Sequence, residues 1–588
     1  MVYCGKPSKG CQMCRTRRIK CDETKPTCNQ CAKARRQCPG YKDEFDLVLR
    51  NENLAAKRRA LKLTAPRRNS KRAAFSEPSP ASTSSSSSLS FRLALSPTPI
   101  HIPAEDLAPC HFVSNFVLLP RQDGSRGFLD YLIPLMQGGD MSHLLHAFNA
   151  CALASWGNRV GGGGILGKAF AEYSRALKAT QAALTDPERA RSDGVLAAVL
   201  LLGMFENISA KQMGTLAWGS HIEGAIQLVK ARGRSQLRTK LGVQLFVAVR
   251  TQLIIHTLTT GTAPPMGAEW WIQDAVFDPT AAECQRVCLK AGELRADVTR
   301  VLASAARTPE NMALVQDLVR RAQALDKDAT AWMSSVPEAW RYRTLCWQSH
   351  SLAVPGGSNS SDYARAEVFP GRVDVYNDFW VASVWNQARA ARLIVMSIAV
   401  RCAAWLCSPV DYRTTPEYAT ASRVCADNIA DILASVPYHL GWHNKRREMF
   451  PGEDGAAFAC GDENGMKGLA GYFLTWPLAC IMMQDYATDA QRAYVKGRLH
   501  HIGDELGIKY AHIITQLHFR VPSMLIRSDG LLAKPYPMAH DFEKLLSSRF
   551  DKPPTQAAIL KATQLPQKWA MQQEELHQSG DGWVGGQQ

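Results

Sequence analysis

A chain of 588 residues, 46% of them hydrophobic, is long enough for a small module plus one or more large domains with sizeable cores, so its overall stability need not rest on a metal. The formal charge of +16 is local: residues 1–72 hold 20 Lys and Arg against 6 Asp and Glu, whereas the other 516 residues carry 49 against 47. Such a distribution points to a polyanion reached by the N-terminus, nucleic acid ahead of an anionic membrane surface, and the longest apolar run, Val195 to Phe205, is too short to span a bilayer. Ten of the 17 cysteines are scattered from Cys110 to Cys480 among apolar residues, the pattern of buried free thiols in a reducing compartment. Met1 to Gly10 is polar and basic, unlike a secretory leader, so a soluble intracellular protein is expected.

In chain order, the first feature is Cys11-x2-Cys14-x6-Cys21-x6-Cys28-x2-Cys31-x6-Cys38, in which one cysteine triplet returns 17 residues later. Two tetrahedral zinc ions need eight thiolate positions, and six cysteines fill them only if two sulfurs bridge both metals. Each Cys-x2-Cys pair can open a short helix that turns both sulfurs to one side. Arg15, Arg17, Arg18 and Lys20 crowd between Cys14 and Cys21, where they offset the residual negative charge of the cluster and, facing outward, meet phosphates or base edges. Lys33, Arg35 and Arg36 offer further backbone contacts. A cluster that only folds the N-terminus or stores zinc would explain the cysteines but not the cations packed into one loop, so DNA binding is the preferred reading. Cys4 stands outside the register and is read as a free thiol.

The run from Gly10 to Cys28, continuing through Asn29-Gln30-Cys31 and Gln37-Cys38-Pro39-Gly40-Tyr41, closely resembles the fungal zinc binuclear cluster transcription factors. That resemblance implies two zinc ions held by Cys11, Cys14, Cys21, Cys28, Cys31 and Cys38, with Cys11 and Cys28 bridging. It also implies base contacts to a CGG-type triplet from Arg17 and Arg18, and phosphate contacts from Arg15 and Lys20. Double-stranded DNA and a nuclear location follow from the same likeness.

Residues 43–105 read as a linker. Leu47, Leu54 and Leu61 are seven apart, but Arg50 and Lys57 are charged and the run is short for a coiled coil, so a homodimer through this segment is left open. Lys57, Arg58 and Arg59, then Arg67 and Arg68, then Lys71 and Arg72 form spaced basic clusters readable as a nuclear-import signal. Ser76 to Pro99 is Ser/Pro-rich and expected to be disordered.

From about Leu107 to Val521 apolar residues return at three- and four-residue steps, with Asp186-Pro187 as a helix start, Pro355 to Asp362 as a polar loop, and no sustained alternation of the kind a sheet needs. Asn115 to Val117, Gly127 to Leu132, Trp218 with His221 to Ala225, Trp385-Asn386 with Arg389 and Arg392, and Trp476-Pro477-Leu478 resemble the helical regulatory domain of one branch of that family. Regulators of this branch often control biosynthetic (secondary metabolite) gene clusters.

Other motifs carry less. Gly162 to Lys168 imitates a phosphate loop but continues into Ala169, with no hydroxyl for magnesium. Trp218 and His221 fit a filled core better than a ligand pocket, and His500-His501 has no second histidine at metal-binding spacing. Lys445-Arg446-Arg447 reads as a solvated loop. The expected protein is thus mostly α: a zinc cluster module (1–42), a basic, Ser/Pro-rich linker (43–105), a large all-α regulatory domain (106–530) that recruits co-regulators, and a tail (531–588). It is expected to be a transcription factor of RNA polymerase II genes with no membrane partner. No catalytic constellation is present in the sequence, so an enzyme is not expected, and a small-molecule sensor in the helical body is the rival reading.

Overall fold

Four helices of the body begin on the same two-residue signal, a capping side chain followed by proline: Asp186-Pro187, Asp278-Pro279, Thr308-Pro309 and Thr415-Pro416. In each, the cap oxygen accepts a first-turn backbone N–H, and proline sits where no N–H is required. The computed structural model describes residues 11–38 and 102–531, leaving out within those spans 18, 23, 25–26, 37, 121–125, 139–140, 160–162, 211–213, 277, 350–359, 447, 449–457, 459, 461–465 and 517–519. The Ser/Pro-rich stretch, the leucines Leu47, Leu54 and Leu61, and the tail after residue 531 lie outside the described residues. The chain divides into two units, residues 1–98 and 99–588.

The first unit contains α1 (Gln12–Thr16) and α2 (Asn29–Lys33). The second opens with α3 (Ala104–Phe116) and continues through α4 (Leu132–Met136), α5 (Ser142–Gly157), α6 (Leu166–Leu184), α7 (Pro187–Ala190), α8 (Asp193–Ser209), α9 (Gly214–Arg232), α10 (Lys240–Thr260), α11 (Ala268–Ile272), α12 (Pro279–Ser304) and α13 (Pro309–Ser335). Strands β1 (Arg343–Gln348) and β2 (Gly371–Val375) flank α14 (Ser360–Arg365). The remaining helices are α15 (Phe379–Cys407), α16 (Pro416–His439), α17 (Gly468–Met482), α18 (Asp489–Asp504), α19 (Tyr510–Thr515) and α20 (Val521–Ser528).

Helix α15 organises this body, packing against α12, α13, α16, α17 and α20. Because it is buried around most of its circumference, its charged residues must find partners inside. Arg401 does so with a two-pronged pair to Asp529 at 2.6 and 2.7 Å, and Arg392 reaches Asp326 at 2.7 Å. The fully buried Arg389 donates to the Tyr376 hydroxyl at 2.7 Å and to Asn386 Oδ1 at 3.0 Å, with its guanidinium against the rings of Tyr342 and Trp385. These residues therefore hold packing together rather than perform chemistry. Helices α10 and α15 are long and apolar enough to cross a membrane, yet 72% of each apolar window is buried in the body, as in core helices.

The sequence reading missed the two strands. They pair antiparallel from Arg343↔Val375 to Gln348↔Gly371, with an irregularity between Thr344 and Cys346. That bulge breaks the two-residue alternation in β1, and β2 ends in three consecutive buried residues, Val373, Asp374 and Val375, so neither strand shows a sustained alternation. The expected polar loop from Pro355 to Asp362 also yields: it lies outside the described residues as far as 359, and α14 begins at Ser360. Among the ten scattered cysteines, Cys151, Cys284, Cys288, Cys402, Cys425 and Cys480 are buried as expected, whereas Cys110 and Cys460 are exposed.

Candidate metal centre and nucleic-acid interface

Cys11 and Cys28 occupy equivalent positions, each immediately before a short helix, because the cysteine triplet is repeated. Cys28 caps α2, its sulfur accepting the Cys31 N–H at 3.3 Å, and the Cys11 sulfur accepts the Cys14 N–H at 3.5 Å. The helical turn then carries Cys14 and Cys31 back onto the same side. The result is two groups of four sulfurs, Cys11, Cys14, Cys21 and Cys28, and Cys11, Cys28, Cys31 and Cys38, each with all its sulfurs within 4.8 Å of one another. Both groups contain Cys11 and Cys28.

These distances fit zinc. Bonds of about 2.3 Å in a tetrahedron separate the sulfurs by roughly 3.8 Å. Cys11 and Cys28 are 3.7 Å apart, Cys11 and Cys31 3.8 Å, and Cys14 and Cys28 3.6 Å. All are free thiols rather than disulfides. Cys11, Cys14, Cys28 and Cys31 are buried, and Cys21 and Cys38 close the two ends half-exposed. Burial beside other sulfurs pushes the Cys31 thiol up to about 12 and moves Cys14 and Cys28 in the same direction. Packed thiols of this kind need a cation before they can become thiolates.

Cations surround this centre on the outside. Arg17 follows α1 directly, its N–H bonded to the Met13 carbonyl at 3.1 Å, and Arg17 and Lys20 are both exposed. Past α2, Arg35 adopts a left-handed turn (φ 48°), and Lys33, Arg35 and Arg36 are exposed in turn. Asp22 joins the halves, accepting the Asn29 N–H at 3.1 Å, and the Thr24 hydroxyl beside it holds its carboxyl below the usual range. Arg18 and the side chain of Arg15 lie outside the described residues, as do Lys57, Arg58, Arg59, Arg67, Arg68, Lys71 and Arg72.

The body bears on several readings of single motifs. His221 receives or donates a hydrogen bond with the Tyr173 hydroxyl at 3.0 Å, whereas Trp218 borders a cavity. Lys445 and Arg446 are tied to Glu367 at 3.2 and 2.9 Å, and Arg446 lies over Trp442, so these two cations are not simply solvated, while Arg447 lies outside the described residues. His500 does meet a second histidine: α19 brings His512 Nδ1 to 3.2 Å from His500 Nδ1, with Asp504 at 2.9 Å from His512 Nε2. A separation of 12 residues across a turn left no local spacing to read.

Residues 9–46 match the family described as the fungal Zn(2)-Cys(6) binuclear cluster domain, and residues 110–275 match the fungal specific transcription factor domain. The first of these domains binds two zinc ions. The chain is 23% identical over 342 residues to transcription factor dbaG of Emericella nidulans, covering 57% of this chain and 74% of that protein. White-opaque regulator 2 of Candida albicans is 52% identical over 44 residues, 8% of this chain and 10% of that protein. Lysine biosynthesis regulatory protein LYS14 of Saccharomyces cerevisiae is 69% identical over 29 residues, 5% and 4% of the two chains. With these two the likeness is thus confined to a short stretch of each. No solved structure matches the chain.

Proposed function

Because the chain belongs to the fungal Zn(2)-Cys(6) transcription factors, we propose that it is a nuclear, sequence-specific DNA-binding regulator of RNA polymerase II genes. The observation that carries this reading is the pair of four-sulfur groups sharing Cys11 and Cys28, with the exposed cations Arg17 and Lys20 beside them. Six thiolates on two zinc ions leave about two negative charges, which the cations offset on the inside while facing phosphate on the outside. In this reading Cys11 and Cys28 bridge the metals, Arg17 and Arg18 fork onto guanine O6 and N7 of a CGG-type triplet, and Arg15 and Lys20 grip the backbone. The basic clusters from Lys57 to Arg72 serve import, and the helical body recruits co-regulators.

The targets proposed are the genes of a biosynthetic cluster, a reading that rests on the resemblance of the helical body to one branch of the family and on the 29-residue likeness to a protein whose name gives it as a regulator of lysine biosynthesis. Selecting duplexes bound by the full chain from a random pool tests the reading directly. Enrichment of CGG-type triplets supports it, and enrichment of no sequence refutes it. In the same assay Arg17→Ala and Arg18→Ala should each cost about 1–3 kcal/mol of base discrimination, whereas Lys20→Ala should weaken binding to all sequences alike. Equal losses on selected and random duplexes for all three variants would overturn the division of roles.

A further inference from the structure

Helices α18 and α19 meet through a turn at Gly507, which takes the left-handed conformation (φ 76°), and beyond it the Ile508 N–H returns to the Ile502 carbonyl at 3.3 Å. The turn brings α19 against the end of α18, so that His512 reaches the face on which His500 and Asp504, four residues apart, stand one above the other. Gly503 makes this approach possible. A side-chain carbon there would lie 2.5 Å from His512 Cδ2 and Nε2, so the imidazole rests where α18 is bare. The ligating atoms of His500, Asp504 and His512 all fall within 4.8 Å of one another, and the group is open to solvent, with His500 and Asp504 exposed and His512 half-buried.

We propose that this triad is a binding site for one divalent transition cation, such as zinc or nickel, held by the Nδ1 atoms of His500 and His512 and oriented by Asp504. Asp504 Oδ1 stands 2.9 Å from His512 Nε2, and because a carboxylate only accepts, Nε2 carries the ring proton and Nδ1 keeps its lone pair. That nitrogen lies 3.2 Å from His500 Nδ1. Without a cation, His500 Nδ1–H donates to it; with one, His500 carries its proton on Nε2 instead and both Nδ1 lone pairs serve the metal. Metal–imidazole bonds of about 2.0–2.1 Å place two nitrogens roughly 3.3 Å apart around a tetrahedral ion and roughly 2.9 Å apart around an octahedral one, so the observed separation needs no rebuilding of either helix. Two imidazoles suit zinc, nickel or copper, whereas magnesium demands a shell of oxygens. Asp504 is a positioning residue, fixing the tautomer and the angle of the ring that binds. Lys509, 4.0 Å from the same carboxylate, donates to the Gly503 carbonyl at 2.8 Å. The free carbonyls at the C-terminal end of α18, where the site lies, add partial negative charge that favours a cation. This inference goes beyond the DNA-binding reading and does not rest on it, since no cysteine of the first unit takes part.

The test is equilibrium dialysis of the full zinc-loaded chain against rising free zinc. The unaltered chain should take up one zinc more than His500→Gln or His512→Gln, whatever number the cysteines hold, so failure here and failure of the cluster reading are distinguishable. His500 is exposed, so its replacement leaves the packing of the body intact. Asp504→Ala should hold the extra ion roughly 10–100-fold more weakly, and Asp504→Asn, whose side-chain oxygen still accepts from His512, should recover part of that loss. Nickel should raise the melting temperature of the unaltered chain but not that of His500→Gln, and magnesium should raise neither. Equal zinc uptake by the unaltered chain and His500→Gln, or an equal response of both to nickel, would overturn the site. Undiminished affinity in Asp504→Ala would overturn the positioning role.

Discussion

Replacing Cys28 and replacing Cys14 should have different consequences, although both remove one buried sulfur. Cys28 belongs to both four-sulfur groups, so Cys28→Ala leaves three sulfurs for each metal. Cys14 belongs to one, so Cys14→Ala leaves the group of Cys11, Cys28, Cys31 and Cys38 complete. A structural zinc site contributes on the order of 10–16 kcal/mol of apparent binding free energy, as much as the whole folding stability of a typical domain. Loss of both sites should therefore unfold the module, and loss of one should leave a partly ordered half. Metal-to-protein ratios after dialysis against a weak chelator should read two zincs for the unaltered chain, one for Cys14→Ala and none for Cys28→Ala. Specific binding normally exceeds non-specific binding by about 10³–10⁷-fold, and in Cys28→Ala that ratio should fall to near one. A Cys28→Ala chain that keeps two zincs, or equal metal loss in the two variants, would refute the sharing of sulfurs.

The body offers two further tests. Arg401→Ala and Asp529→Ala should each lower the unfolding free energy by about 3–5 kcal/mol, because each leaves an uncompensated buried charge, and the double variant should lose less than the sum in urea titrations. His439 is fully enclosed, and burial lowers its imidazole from 6.5 to about 4. The unfolded chain then takes up the proton first, so this contribution to stability is complete above pH 6.5 and is lost as pH falls toward 4, by about 2 kcal/mol between pH 7 and 5. His439→Gln should flatten that part of the profile, and an unchanged slope would assign the acid sensitivity elsewhere.

What could be read from the sequence was whatever is encoded over short distances. The sulfur ligands lie within 28 residues at fixed spacing, so their number alone demands two bridges, and the structure places the two groups of four around the same pair. Helices announced themselves through periodicity and through caps such as Asp186-Pro187. The cavity beside Trp218 left no trace, because its lining comes from helices far apart in the chain. Arg389 was legible as part of the resemblance to a helical regulatory domain, but its complete burial among Tyr376, Asn386 and two aromatic faces was not. The strand pair was hidden by its own bulge.

The shared sulfurs also impose an order on how the module comes into being. Of the six cysteines in the register a ribosome delivers Cys11, Cys14 and Cys21 first, and three sulfurs cannot close a four-coordinate shell. The first shell becomes available with Cys28, and the second only ten residues later, when Cys38 completes the set with Cys31 and the two sulfurs already engaged. A nascent chain ending before Cys28 thus carries only three of these six sulfurs, and if two zincs share Cys11 and Cys28 the second would be held on sulfurs that already serve the first.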